Sequence, residues 1–161
     1  MLSPDVSPFI CSLICFSLFF GPAGGSGLGI LSSMNVRFIV VDPEGRRTGY
    51  DPATKAEVSE IPSSQYGVRI TGETDGASPD RSRELVAAFA SPDPLVEGAY
   101  TIRVYGETSG PFWLSISFYR EPVSDDLNVR GKIRTGELKT YRVMYAADPA
   151  VALAVDSVDA K

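Results

Sequence analysis

Ala99 to Tyr105 reads AYTIRVY and Phe112 to Tyr119 reads FWLSISFY, and these two stretches decide the fold class. In the first, Tyr100, Ile102 and Val104 alternate with Thr101, Arg103 and Tyr105; in the second, Phe112, Leu114, Ile116 and Phe118 alternate with Trp113, Ser115, Ser117 and Tyr119. Successive side chains of a strand point to opposite faces, so a period of two sends one set into a core and the other toward solvent. With Gly106 to Pro111 between them, the two stretches are expected to pair as a half-buried antiparallel hairpin. Leu127 to Arg134 and Leu138 to Tyr145 are expected to form a second hairpin across Thr135-Gly136-Glu137.

Outward from this region the same character continues. Asn35 to Val41 (NVRFIVV) is rich in β-branched residues and ends at Asp42-Pro43-Glu44-Gly45, a turn with proline at its second position. Arg46 to Tyr50, Glu57 to Ile61 and Tyr66 to Thr71 are shorter candidates separated by turn residues. Leu85 to Ala90 reads either as a strand or as a helix with Pro79 near its start, and the β character of its neighbours favours the strand. Val151 to Val155 is a last edge strand or a tail. The expected architecture is all-β: an antiparallel β-sandwich, jelly-roll or Ig-like, of about eight strands.

The amino-terminal end differs in character. Phe9 to Phe20 (FICSLICFSLFF) is uncharged and almost wholly apolar, and Gly, Pro, Ala and Ser dominate from Gly21 to Gly29. As a helix, the apolar run would extend only about 18 Å, short of a hydrocarbon core of about 30 Å. This is the layout of a secretory signal peptide, with Ala23 preceded by Gly21 suited to cleavage. Met1 to Pro8 holds Asp5 and no Lys or Arg, which leaves a misassigned start codon and a buried core strand as alternative readings. The expected division is therefore a signal peptide and Gly-rich spacer over 1–31, a sandwich over 32–148, and an edge strand or tail over 149–161. The chain is expected to be exported, to the periplasm, the cell surface or the medium, without a membrane span in its mature form. Both cysteines, Cys11 and Cys15, lie in the apolar segment, so the sandwich is expected to stand without disulfides.

Gly98-Ala99-Tyr100-Thr101-Ile102-Arg103-Val104 and Phe112-Trp113-Leu114-Ser115-Ile116 together resemble the paired G-x-Y-x-L-x-V strands of bacterial pre-peptidase C-terminal-like domains. Gly136 to Tyr141 is similar to a P-G-x-x-D-x-Y strand start in such modules. Asp42 to Pro52 and Glu60-Ile61-Pro62 resemble the opening of C-terminal sandwich domains of bacterial surface proteins. The resemblance covers most of residues 35–146 and rests on turn and core positions. It implies a non-catalytic accessory or binding module, with an unidentified protein or glycan as partner. A detached C-terminal fragment of a larger peptidase or adhesin-type surface protein is the alternative reading.

The residues themselves narrow the chemistry. There is no histidine, and no cysteine beyond the apolar segment. Ser-His-Asp and Cys-His catalysis and most zinc, copper and haem ligation therefore have no side chains to use. A net charge of −5 speaks against a nucleic-acid binder, which needs a basic face. Arg46-Arg47 and Arg81-Ser82-Arg83 read as solvated edges. The expectation is a protein that is not an enzyme; a carboxylate-only hydrolase is the remaining catalytic reading. Against it, Asp42, Asp51, Asp93 and Asp148 each precede a proline and read as turn formers.

Two site candidates follow. Glu73, Asp75 and Asp80 in the Gly72 to Ser82 loop, with Asp125-Asp126 in another, offer the hard oxygen ligands that calcium prefers, which makes calcium the candidate cofactor. Trp113, Tyr105 and Tyr119 fall opposite the Phe112/Ile116/Phe118 set and could form an aromatic row gripping a sugar or a protein. A second buried face would hide them instead.

Overall fold

The computed structural model describes residues 26–71, 84–91, 95–120, 123–148, 150–151 and 154–158. Eleven strands are present among them: β1 (Ser26–Ser32), β2 (Val36–Val41), β3 (Arg47–Asp51), β4 (Ala56–Ser59), β5 (Gln65–Thr71), β6 (Glu84–Ser91), β7 (Gly98–Gly106), β8 (Gly110–Arg120), β9 (Val123–Ile133), β10 (Leu138–Tyr145) and β11 (Val155–Ser157). Residues 85–90 are thus strand, and the last edge strand starts at Val155 rather than ending there. Two antiparallel sheets, ordered β5-β6-β1-β8-β9 and β11-β10-β7-β2-β3-β4, make a β-sandwich.

The alternation identifies the inward residues correctly. Tyr100, Ile102 and Val104 from one sheet, and Phe112, Leu114, Ile116 and Phe118 from the other, are all at most 3% exposed. Neither expected hairpin forms, however. β7 and β8 lie in different sheets, and so do β9 and β10. β7 pairs with β2 and β10, whereas β8 pairs with β1 and β9. A period of two records which face of a strand is buried, and that is the same whether the next strand lies beside it or across the core. Here the two inward sets face each other across the sandwich.

The pairs β1–β8 and β2–β7 are nested, because the β1–β2 and β7–β8 connections both cross between sheets. The nesting stops there: β3 pairs with its sequence neighbours β2 and β4, and β5 with β6. Three crossings, at 33–35, 107–109 and 134–137, meet at one end of the sandwich. The Asn35 carbonyl accepts the Glu107 and Thr108 amides at 2.9 and 3.2 Å, and the Ser109 hydroxyl accepts the Thr135 amide at 2.9 Å. These bonds tie one crossing to the next.

The spacer boundary at residue 31 also needs correction. Ser26–Ser32 is a central strand, flanked by β6 and β8, with Leu28 and Ile30 fully buried. SGLGIL alternates like the other strands, but glycine occupies its outer positions and disguises it as linker. The sandwich therefore includes Ser26–Ser32, ahead of the expected boundary at residue 32. The apolar segment, with Cys11, Cys15 and Ala23, lies outside the described residues.

At the opposite end of β7, Gly98 has φ +132°, and a Cβ there would press on the Pro43 ring at 3.0 Å. Two residues on, the Tyr100 hydroxyl donates to the Val96 carbonyl at 3.0 Å. A tyrosine bonding back to the chain just before its own strand pins an inter-sheet arch, as a tyrosine corner does. The motif positions Gly98 and Tyr100 thus have structural work at the β6–β7 crossing.

Candidate functional site

The acidic side chains of the Asp-Pro pairs are engaged locally. Asp42 Oδ1 accepts the amides of Glu44 and Arg46 at 3.0 and 2.8 Å, and its Oδ2 accepts Arg46 Nε at 2.7 Å. Asp51 Oδ1 accepts the Ala53 amide and Asp148 Oδ1 the Ala150 amide, each at 2.9 Å. All three are Asx-type turns, in which the carboxylate replaces a backbone acceptor. Asp93 lies outside the described residues. Arg46 also meets Glu44 at 2.7 Å, and Arg47 meets Glu60 at 2.8 Å and Asp51 at 3.5 Å. These hydrogen bonds and charges from Arg47 lower the pKa of Glu60. The Arg46-Arg47 pair is thereby matched by carboxylates of its own hairpin.

The calcium candidates Glu73, Asp75 and Asp80, like the Arg81-Ser82-Arg83 run, lie outside the described residues. Asp125 and Asp126 are on β9, paired with Phe118 and Ser117, and not in a loop. As neighbours on a strand they point to opposite faces and do not converge on one ion. Among the described residues no three Asp, Glu, Cys or His side chains cluster to hold a metal.

The aromatic row is likewise divided. Tyr105 belongs to β7 and lies on the outer face of the six-stranded sheet, while Trp113 and Tyr119 lie on the outer face of the five-stranded sheet, with the core between. The Tyr105 ring is 6.3 Å from that of Tyr50, which lies 6.0 Å from the Arg37 guanidinium, itself ion-paired with Glu107 at 3.0 Å. Trp113 and Tyr119 share a face but stand about 20 Å apart along β8. Burial raises the Tyr119 hydroxyl pKa, in spite of a hydrogen bond with Ser117. All three aromatic residues are half-buried.

Trp113 has a neighbourhood that residue types alone did not reveal. It is directly paired with Arg130 of β9, as Pro111 is with Lys132. Directly opposed residues share a face, so Arg130 and Lys132 stand outward, followed by Arg134 just past the strand; all three are exposed. Below them is an open groove of about 680 Å³, lined by Gly110, Pro111, Lys132, Ile133, Arg134 and Glu137. Its one carboxylate is already occupied: Glu137 Oε2 accepts the Arg134 amide at 2.7 Å and Oε1 meets Lys139 Nζ at 3.5 Å. The Arg134 backbone bond and the Lys139 charge hold Glu137 below the usual glutamate range. The alternation Arg130, Lys132, Arg134 was readable in the sequence; its partner strand, and with it Trp113, was not.

Among the described residues, no helix is long and apolar enough to cross a membrane. Comparison with protein-family models, with curated proteins and with solved structures found no match.

Proposed function

We propose that this chain is a non-catalytic binding module of an exported bacterial protein, similar in role to pre-peptidase C-terminal-like domains. The observation that supports the reading is that Asp42, Asp51 and Asp148 each accept a backbone amide of their own turn, which gives these three acids a structural role. What remains conspicuous is surface: the outer face of the five-stranded sheet, with Trp113, Tyr119 and the groove beside β9. An extended sheet face with aromatic side chains suits a polysaccharide better than a small molecule, which is normally enclosed.

The purified full chain, incubated with a panel of neutral and acidic polysaccharides, is expected to be retained without releasing reducing sugar. Turnover that disappears on a single Asp→Asn or Glu→Gln exchange would establish the hydrolase instead, and retention on no polysaccharide would remove the reading. Export is tested by N-terminal sequencing of the protein recovered outside the cytoplasm. The mature chain is expected to begin after Ala23 and no later than Ser26, because later cleavage would cut into β1. An uncleaved chain confined to the cytoplasm is the opposing result.

A further inference from the structure

We infer that the groove between β8 and β9, together with the cation ladder above it, binds an acidic polysaccharide carrying carboxylates, such as a polyuronate. The inference rests on the binding-module reading and names its ligand class. Arg130 and Lys132 project from one face about 6.8 Å apart, twice the strand rise, and the exposed Arg134 follows just past the strand. No salt bridge occupies the side chains of Arg130 and Lys132 among the described residues, in a chain whose acids outnumber its Lys and Arg. Lys132 and Arg134 form one wall of the groove, and Gly110 and Pro111 supply its uncharged part. Glu137, the acid in that lining, is ion-paired with Lys139 at 3.5 Å and accepts the Arg134 amide at 2.7 Å. Arginine binds a planar carboxylate in bidentate fashion, and Trp113 and Pro111 are the direct cross-strand partners of Arg130 and Lys132.

The other outer face offers no equivalent. Arg103 and Arg142 are exposed there but stand on separate strands. Lysines and arginines on an edge strand can also serve simply to prevent edge-to-edge association. That role requires no groove. A polynucleotide is a poorer fit, because it needs a long basic track, and here the strand turns acidic at Asp125-Asp126.

The test is affinity electrophoresis and calorimetry of the full chain with polygalacturonate, with dextran as neutral control and a single-stranded oligonucleotide as competing polyanion. Polygalacturonate is expected to bind, to weaken at least tenfold between about 0.05 and about 0.5 M salt, and to outbind dextran and the oligonucleotide. The combined variant Arg130→Gln, Lys132→Gln, Arg134→Gln should lose at least tenfold in affinity with its melting temperature nearly unchanged, as is usual for exposed positions. Arg103→Gln with Arg142→Gln should bind like the parent. Equal loss in both variants would reduce the effect to net charge and overturn the site. Preference for the oligonucleotide would overturn the ligand class. Retention on dextran without preference for polygalacturonate would overturn this inference and leave the binding-module reading standing, whereas binding to no polysaccharide would remove both.

Discussion

Tyr100 shows how much one side chain contributes to closing the sandwich. Its ring is 2% exposed and packs edge-on against Phe118 and Tyr145, at 6.1 and 6.4 Å, while its hydroxyl holds the Val96 carbonyl. Tyr100→Phe keeps the packing and removes the donor, so it is expected to cost about 1 to 2 kcal/mol. Thermal denaturation would read this as a fall of several °C, roughly; an unchanged midpoint would show that the corner bond contributes nothing. The same burial pushes the Tyr100 hydroxyl up to about 12, and burial does the same to Tyr66, whose pKa the nearby Arg37 charge pulls partly back. Both values exceed that of an unfolded tyrosine, about 10, so the fold favours the neutral phenol. The associated stability is fully present below about pH 10 and is lost as pH rises toward about 12. Ultraviolet titration of the seven tyrosines should show a late fraction that shrinks in Tyr66→Phe and again in Tyr100→Phe. A single transition near pH 10 in the folded protein would contradict the assignment.

At the scale of elements, β1 separates what the sequence reveals from what it hides. Strands with large residues on their inner face, such as β7 and β8, are legible because alternation is a local property. β1 carries the same alternation, yet its outer positions are Gly27 and Gly29, and glycine reads as linker. Pairing was illegible for a different reason: Gly106 to Pro111 could close a hairpin or cross a sandwich, and only the partners far along the chain decide. The site inherited that ambiguity. Trp113 and Tyr105 fall on the outward set of both stretches, but their separation onto two sheets, and the meeting of Trp113 with Arg130, depend on pairings that no local pattern records. A chain beginning at residue 26 keeps β1 and is expected to unfold cooperatively. One beginning at residue 33 loses fully buried Leu28 and Ile30 and opens the sheet between β6 and β8. Burial of two such side chains is worth about 3 to 6 kcal/mol, a large part of a typical domain's stability. The shorter chain should lack cooperative urea unfolding by circular dichroism, and a native-like transition in it would show that β1 is dispensable.

For the whole molecule, the nested winding makes folding a long-range event. Ser26 lies opposite Arg120 and Val36 opposite Gly106, so the central strands of both sheets find partners only after most of the chain is available. Loop closure over such separations must precede the contacts that reward it, and sandwiches of this kind fold in about milliseconds to seconds rather than microseconds. A chain ending at residue 108 contains β1 to β7 but lacks β8, the partner that covers one side of β1, and it is expected to remain unfolded. Oxidation state should not matter, because Cys11 and Cys15 both precede the sandwich. Trp113 is the only tryptophan and sits on β8, next to β1 and β9, so its fluorescence reports the assembly of the five-stranded sheet. Stopped-flow refolding of residues 26–161 from urea is expected to show a dominant phase between about a millisecond and a few seconds, the same with and without reductant. Refolding in microseconds, or a cooperatively folded chain ending at residue 108, would mean that local hairpins and not the nested pairs organise the sandwich.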